Sequence, residues 1–142
     1  MVVIQPFQSK PPSPRPFRFP PLSQRLLAND RVFKTGRSTE LTEGFYNELK
    51  DVRILRLEDP TQPGRYRIVT TAEHAICSHR KAFAEPGDSG SFIYTRPSFV
   101  VGMLHGGLQR SDTWYFSSIL DVFEDIKAVT HAREVRLPIP SE

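Results

Sequence analysis

The sequence holds one cysteine, Cys77, in 142 residues, which excludes an internal disulfide and leaves no cysteine cluster for zinc. No apolar run approaches the ~18–20 residues a membrane span needs. The opening MVVIQPFQSK has no hydrophobic stretch of signal-peptide length. On these absences no membrane partner is expected, and the location defaults to the cytoplasm. Glycine is missing before Gly36, whereas seven of the 13 prolines lie in residues 1–21. Proline removes amide donors and holds φ near about −65°, so the run KPPSPRPFRFPP fits neither a sheet interior nor a helix. Residues 1–30 are expected to be a Pro-rich basic arm, disordered on its own.

Charge is divided along the chain. Of 19 basic and 16 acidic residues, seven and one lie in residues 1–37, which leaves 12 basic and 15 acidic residues beyond. A nucleic-acid surface would call for a basic stripe on a folded face with aromatics to stack bases. Phe17 and Phe19 beside Arg15 and Arg18 are a faint version of that, and a solvated arm accounts for them. No nucleic-acid partner is expected. Pro11 and Pro14 have PxxP spacing but no Arg or Lys at the flanking position that usually orients such a ligand, a weak signal for a polyproline ligand.

The length suits one domain. From Arg31 the pattern is of short strands and turns: Val32–Phe33 ended by Gly36, a longer strand pair or a bent strand over 45–57, and a turn at DPTQPG. Val52, Ile54 and Leu57 are its inward candidates. Tyr66, Ile68 and Thr70 alternate as in a half-buried strand that runs on towards Cys77. Phe92–Tyr94, Phe99–Leu104 and Trp114–Phe116 follow. About six strands at this spacing predict an all-β fold, a single antiparallel six-stranded barrel over residues 31–130. Ile119, Val122, Phe123 and Ile126 recur at helical spacing after Ser118, a suitable N-cap, and predict a C-terminal helix packed on the barrel. Residues 131–142 are expected to be a tail.

The segment FAEPGDSGSFIY carries the chemistry. A nucleophilic serine needs its hydroxyl on a tight turn, with backbone amides aimed where negative charge develops on the substrate. Ser89 between Gly87 and Gly90 suits that, because glycine takes backbone shapes other residues avoid. The same residue types also build a plain reverse turn. Eleven residues after Ser89 begins VVGMLHGG, an apolar strand ending in His-Gly-Gly, as a pocket wall would.

Together, GDSGS, VVGMLHGG and the terminal strand-plus-helix resemble the C-terminal barrel of trypsin-like (chymotrypsin-fold) serine proteases. VFKTGRSTELTEG is similar to the first strand and turn of that barrel in proteins of the fungal trypsin-like type. The resemblance spans roughly residues 31–126. It implies Ser89 as nucleophile and the N–H groups of Gly87 and Ser89 as oxyanion hole. Leu104, His105, Gly106 and Gly107 would bind a peptide or protein substrate. Asp88 matches the acid that, in zymogen-activated relatives, pairs with a newly cut N-terminus. No metal or organic cofactor is implied.

The triad His and Asp of such enzymes precede the serine, in a first barrel and the segment joining the barrels, and the arm here has no histidine. His74, His79 and His131 read as a strand, a connection and a helix-end residue. Three functions stay open: a partial serine endopeptidase completed by a missing N-terminal barrel and inactive alone, a non-catalytic pseudoprotease that binds peptides, and a proline-rich adaptor.

Overall fold

A computed structural model describes residues 26–96 and 99–137, together with the backbone of Val2–Val3. The strands are β1 (Val2–Val3), β2 (Arg31–Gly36), β3 (Glu40–Glu58), β4 (Tyr66–Cys77), β5 (Phe92–Thr95), β6 (Phe99–Leu108) and β7 (Thr113–Ser118). Helix α1 (Ile119–Thr130) and β8 (Val135–Arg136) complete the chain. Strands β2 to β7 are all antiparallel and hydrogen-bond in the order β2-β3-β4-β7-β6-β5; β5 pairs back to β2 through Phe33↔Tyr94 and Lys34↔Ile93, closing the ring. The Pro-rich run at 10–21 lies outside the described residues.

Two apolar clusters hold this ring. Val32, Ile76, Phe83, Ile93, Leu104, Trp114 and Phe116 fill its interior. Phe92, Val100, Ile119, Phe123, Val135 and Leu137 form a second core outside it, under α1. Both faces of β5 are therefore covered, which is why Phe92, Ile93 and Tyr94 are buried in succession. In β6 a one-residue irregularity between Val100 and Gly102 switches the faces: Val100 and Met103 meet the helix cluster, Val101 and Leu104 the ring cluster.

The helix stripe packs as its spacing requires, with Ile119 and Phe123 buried and Val122 and Ile126 against the same cluster. Ser118 occupies the N-cap position, but its side chain makes no capping hydrogen bond. Residues 135–136 pair in parallel with Val2–Val3, and Val135 and Leu137 join the outer core.

One expectation is corrected. Val52, Ile54 and Leu57 do not face inward; they are 66%, 72% and 39% exposed, and Tyr66 and Ile68 opposite them are 48% and 74% exposed. The pairing of β3 with β4 continues from Asp51↔Glu73 to Glu58↔Tyr66, whereas β7 accompanies β4 only over residues 74–77. Beyond that the hairpin projects as a two-stranded ribbon, so its alternation marks strands without a core beneath them. Replacing Val52, Ile54 or Ile68 with threonine should therefore change stability by less than about 0.5 kcal/mol each in urea titrations. A loss several times larger would mean that these side chains are covered.

Candidate active site

The segment from Phe83 to Ser91 leaves the core and returns to it within nine residues, with Phe83, Ala84 and Ser91 all buried. Its turn is tied by the Asp88 N–H donating to the Glu85 carbonyl at 3.0 Å and by the Ser91 N–H and hydroxyl donating to the Asp88 carbonyl at 3.1 and 2.6 Å. The Gly90 N–H donates to Leu104 O at 2.8 Å, and the Leu104 N–H to Ser91 O at 3.0 Å, which fastens the loop to β6. Gly87 at φ +102° and Gly90 at φ +89° occupy the left-handed half of the map that other residues avoid. The result turns Asp88 fully inward and leaves Ser89 exposed. Among the described residues, the N–H groups of Gly87 and Ser89 have no backbone acceptor, although the Asp88 N–H between them does.

Asp88 sits in a socket made by β2 and the turn after it. Its Oδ1 accepts from the Ser38 and Thr39 N–H groups at 2.7 and 3.3 Å, and its Oδ2 from the Thr39 hydroxyl at 2.6 Å and the Glu85 N–H at 3.0 Å. The Lys34 ammonium stands 3.4 Å from Oδ2, and both side chains are fully buried. Lys34 also donates to Thr39 Oγ1 at 2.5 Å and to Glu40 O at 3.4 Å. Any side chain at Gly36 would overlap the Asp88 carboxylate. The Ser38 hydroxyl donates to Pro86 O at 2.8 Å and closes the socket over the loop.

Burial pushes the Asp88 carboxyl up. Hydrogen bonds from Thr39, Ser38 and Glu85, with the Lys34 charge, outweigh it and hold the group below the usual carboxylate range. Burial also draws Lys34 below the ordinary lysine value, against the pull of Asp88 and Glu85. The lowered carboxyl favours the charged pair, whereas the lowered ammonium opposes it. Four donors besides the ammonium converge on the carboxylate and keep it charged. Sequence reasoning missed Lys34, although it lies two residues from Val32 on the alternation of β2 and so on the same inward face.

A cavity of about 610 Å³ opens beside the loop, lined by Ala84, Pro86, Ser89, Leu104, Gly106, Gly107 and Trp114 among others. It brings together four of the residues singled out in the sequence: Ser89, Leu104, Gly106 and Gly107. His105 is not in its lining, because it follows Leu104, which takes the inward position, and so faces the other side of β6. Its Nε2 instead meets Glu73 Oε2 at 3.0 Å. Burial raises the Glu73 carboxyl, but the Thr71 hydroxyl and His105 outweigh that and leave it lowered. Strand β5 accompanies β6 only from Phe99 to Met103, so past Leu104 the edge towards the loop carries no strand among the described residues. Gly107 has a packing reason, since a side chain there would strike Trp114; at Gly106 it would meet nothing within 4 Å.

The remaining histidines lie elsewhere. His74 Nδ1 is 3.1 Å from the Tyr46 hydroxyl, and its ring stacks on Phe116 at 5.1 Å. Burial, aided by the Lys50 charge, lowers its pKa. His79 lies against Phe45 at 5.4 Å, and His131 caps α1 at φ +56°. None of the four lines the Ser89 cavity. Among the described residues no three His, Cys, Asp or Glu side chains gather as metal ligands.

Solved structures share this architecture. Rv3671c of M. tuberculosis, as a serine-to-alanine mutant in an inactive form, superposes with a TM-score of 0.56 at 20% identity, over 87% of this chain and 57% of that one. The Rv3671c protease in its active form gives 0.51 at 18% identity, over 87% and 51%. The chain thus spans little more than half the length of the structures it matches. At these identities the likeness shows the fold alone. No curated protein sequence matches. The model of one peptidase family matches residues 21–134, a span that holds the Ser89 loop, its Asp88 socket and the whole strand ring. The chain belongs to peptidase family S64.

Proposed function

We propose that this chain is the serine-bearing half of a chymotrypsin-type serine endopeptidase, its strand ring being the second of two barrels. Ser89 is the nucleophile. Its Oγ attacks the carbonyl carbon of a peptide bond while its proton passes to a base. The resulting oxyanion accepts hydrogen bonds from the N–H groups of Gly87 and Ser89. Collapse expels the amine with that proton and leaves an acyl-enzyme at Ser89, which water then hydrolyses. The substrate backbone lies along the open edge of β6 at Leu104–Gly107, and an apolar side chain enters the cavity above Trp114.

One observation carries this reading: an exposed serine between two left-handed glycines, flanked by amides at 87 and 89 that have no backbone acceptor among the described residues. The base is a histidine of a separate half, since no histidine of this chain lines the cavity. The exposed Val52, Ile54 and Ile68 fit a face that such a half would cover. That same lack of a histidine favours a second reading, a peptide-binding platform without turnover. In the triad template, removing one member still leaves about 10³–10⁴-fold rate enhancement from the oxyanion hole and binding.

A fluorophosphonate probe separates the two. On the endopeptidase reading the purified full chain is labelled slowly at Ser89, and Ser89→Ala abolishes labelling without shifting the melting temperature. Peptide binding with no labelling at Ser89, alone or with a His-bearing half added, would favour the platform and end the endopeptidase reading.

A further inference from the structure

We propose that Lys34 is a positioning residue for the Ser89 loop, the built-in counter-charge of Asp88, so that the loop takes its shape without an amine freed by cleavage of the chain. The proposal rests on the reading of Ser89 as a nucleophile for its functional meaning, but its geometry stands apart from that reading.

A buried carboxylate demands both hydrogen bonds and a compensating charge. The hydrogen bonds to Asp88 come from the loop itself, through Glu85, and from the turn at Ser38–Thr39. The charge comes from Lys34, as fully buried as the carboxylate it faces. Lys34 stands in the middle of β2, opposite Thr42 of β3 and Ile93 of β5, so its backbone is clamped by a strand on each side. Its ammonium has no slack: Asp88, Thr39 and Glu40 take its hydrogens, and the Phe83 ring lies 5.6 Å away.

Asp88 and Ser89 are consecutive, and the inward turn of one is the outward turn of the other. Pulling the carboxylate onto β2 therefore sets the direction of the Ser89 hydroxyl and of the amides beside it. An incoming α-ammonium would find Oδ1 holding two N–H groups, and Oδ2 holding a hydroxyl, an N–H and Lys34. It would have to displace an ordered partner to bind. The socket also accounts for the residues of VFKTGRST, with Lys34 supplying charge, Gly36 clearance, and Ser38 and Thr39 donors.

The test reads loop order by hydrogen exchange on the full chain, beside fluorophosphonate labelling. In Lys34→Met, amides 85–91 should exchange about tenfold faster while those of β6 and β7 keep their protection, and labelling should fall in step. Acetylating the α-amine of the unaltered chain should move neither readout. Lys34→Met leaves a buried unpaired carboxylate, so Lys34→Met/Asp88→Asn is the companion that folds without it; its loop should also exchange faster. Unaltered protection in both variants overturns the proposal, as does a loop that opens on acetylation. If the unaltered chain takes no label but its loop opens in the variants, the endopeptidase reading falls and the role of Lys34 stands. Full labelling of Lys34→Met despite an opened loop would overturn the link from Lys34 to Ser89.

Discussion

Asp88→Ala should lower the stability of the fold by about 3–5 kcal/mol, because it strands a fully buried ammonium. The N–H groups of Ser38, Thr39 and Glu85 lose their acceptor in the same step. The loss is read as a fall in the urea midpoint with little change in slope. Each charge of a buried pair is desolvated, and that cost offsets much of their attraction. Removing both charges should therefore cost less than the two single losses added together, by about 2 kcal/mol in a double-mutant cycle with Lys34→Met. If Asp88→Ala costs under about 1 kcal/mol, water reaches Lys34 and the socket is not closed.

The pH dependence follows from the same carboxylate. Asp88 has a folded-state pKa below its unfolded value, so its contribution is complete above the unfolded value, near about 3.9. It is lost as pH falls from there through the lower folded value. Glu73 and Asp59 are lowered as well and add to the acid slope. The slope that disappears in Asp88→Asn is the part that belongs to the socket. Equal slopes in the two proteins would show that Asp88 does not ionise differently on folding.

Local periodicity made most elements legible. The helical stripe of Ile119, Val122, Phe123 and Ile126 and the strands at Phe92 and Trp114 need only near neighbours to be recognised. The two glycines around Ser89 announced the loop for the same reason. What failed depended on distant chain. Val52 and Ile68 alternate like core residues, and only the point where β7 stops pairing with β4 decides that nothing lies over them. His105 sits in an apolar strand beside two glycines, but its neighbour Leu104 takes the inward position and His105 meets Glu73 of β4, a partner 32 residues away. Lys34 and Asp88 lie on different elements far apart in sequence. A lysine in a strand is ordinarily assigned to solvent, and the clue that it was not lay in its parity with Val32.

The anchor of the loop in the core sets the second large effect. Phe83 is fully buried in the ring cluster, its carbonyl accepts the Thr42 hydroxyl at 2.6 Å, and its ring lies near the Lys34 ammonium. Phe83→Ala should cost about 3–5 kcal/mol through lost burial and the cavity left among Val32, Ile76 and Trp114. Loss of the cation–π contact adds to it. Phe83→Leu keeps most of the volume and should cost less than half as much. Location matters as much as size. Phe83 begins the segment that ends at Ser91, so Phe83→Ala should raise hydrogen exchange at 84–91 before it affects α1, whose contacts belong to the outer cluster. A uniform rise across both clusters would mean that the ring and the helix layer open as one unit. The Ser89 loop would then have no local anchor of its own, and its shape would be only as stable as the whole fold.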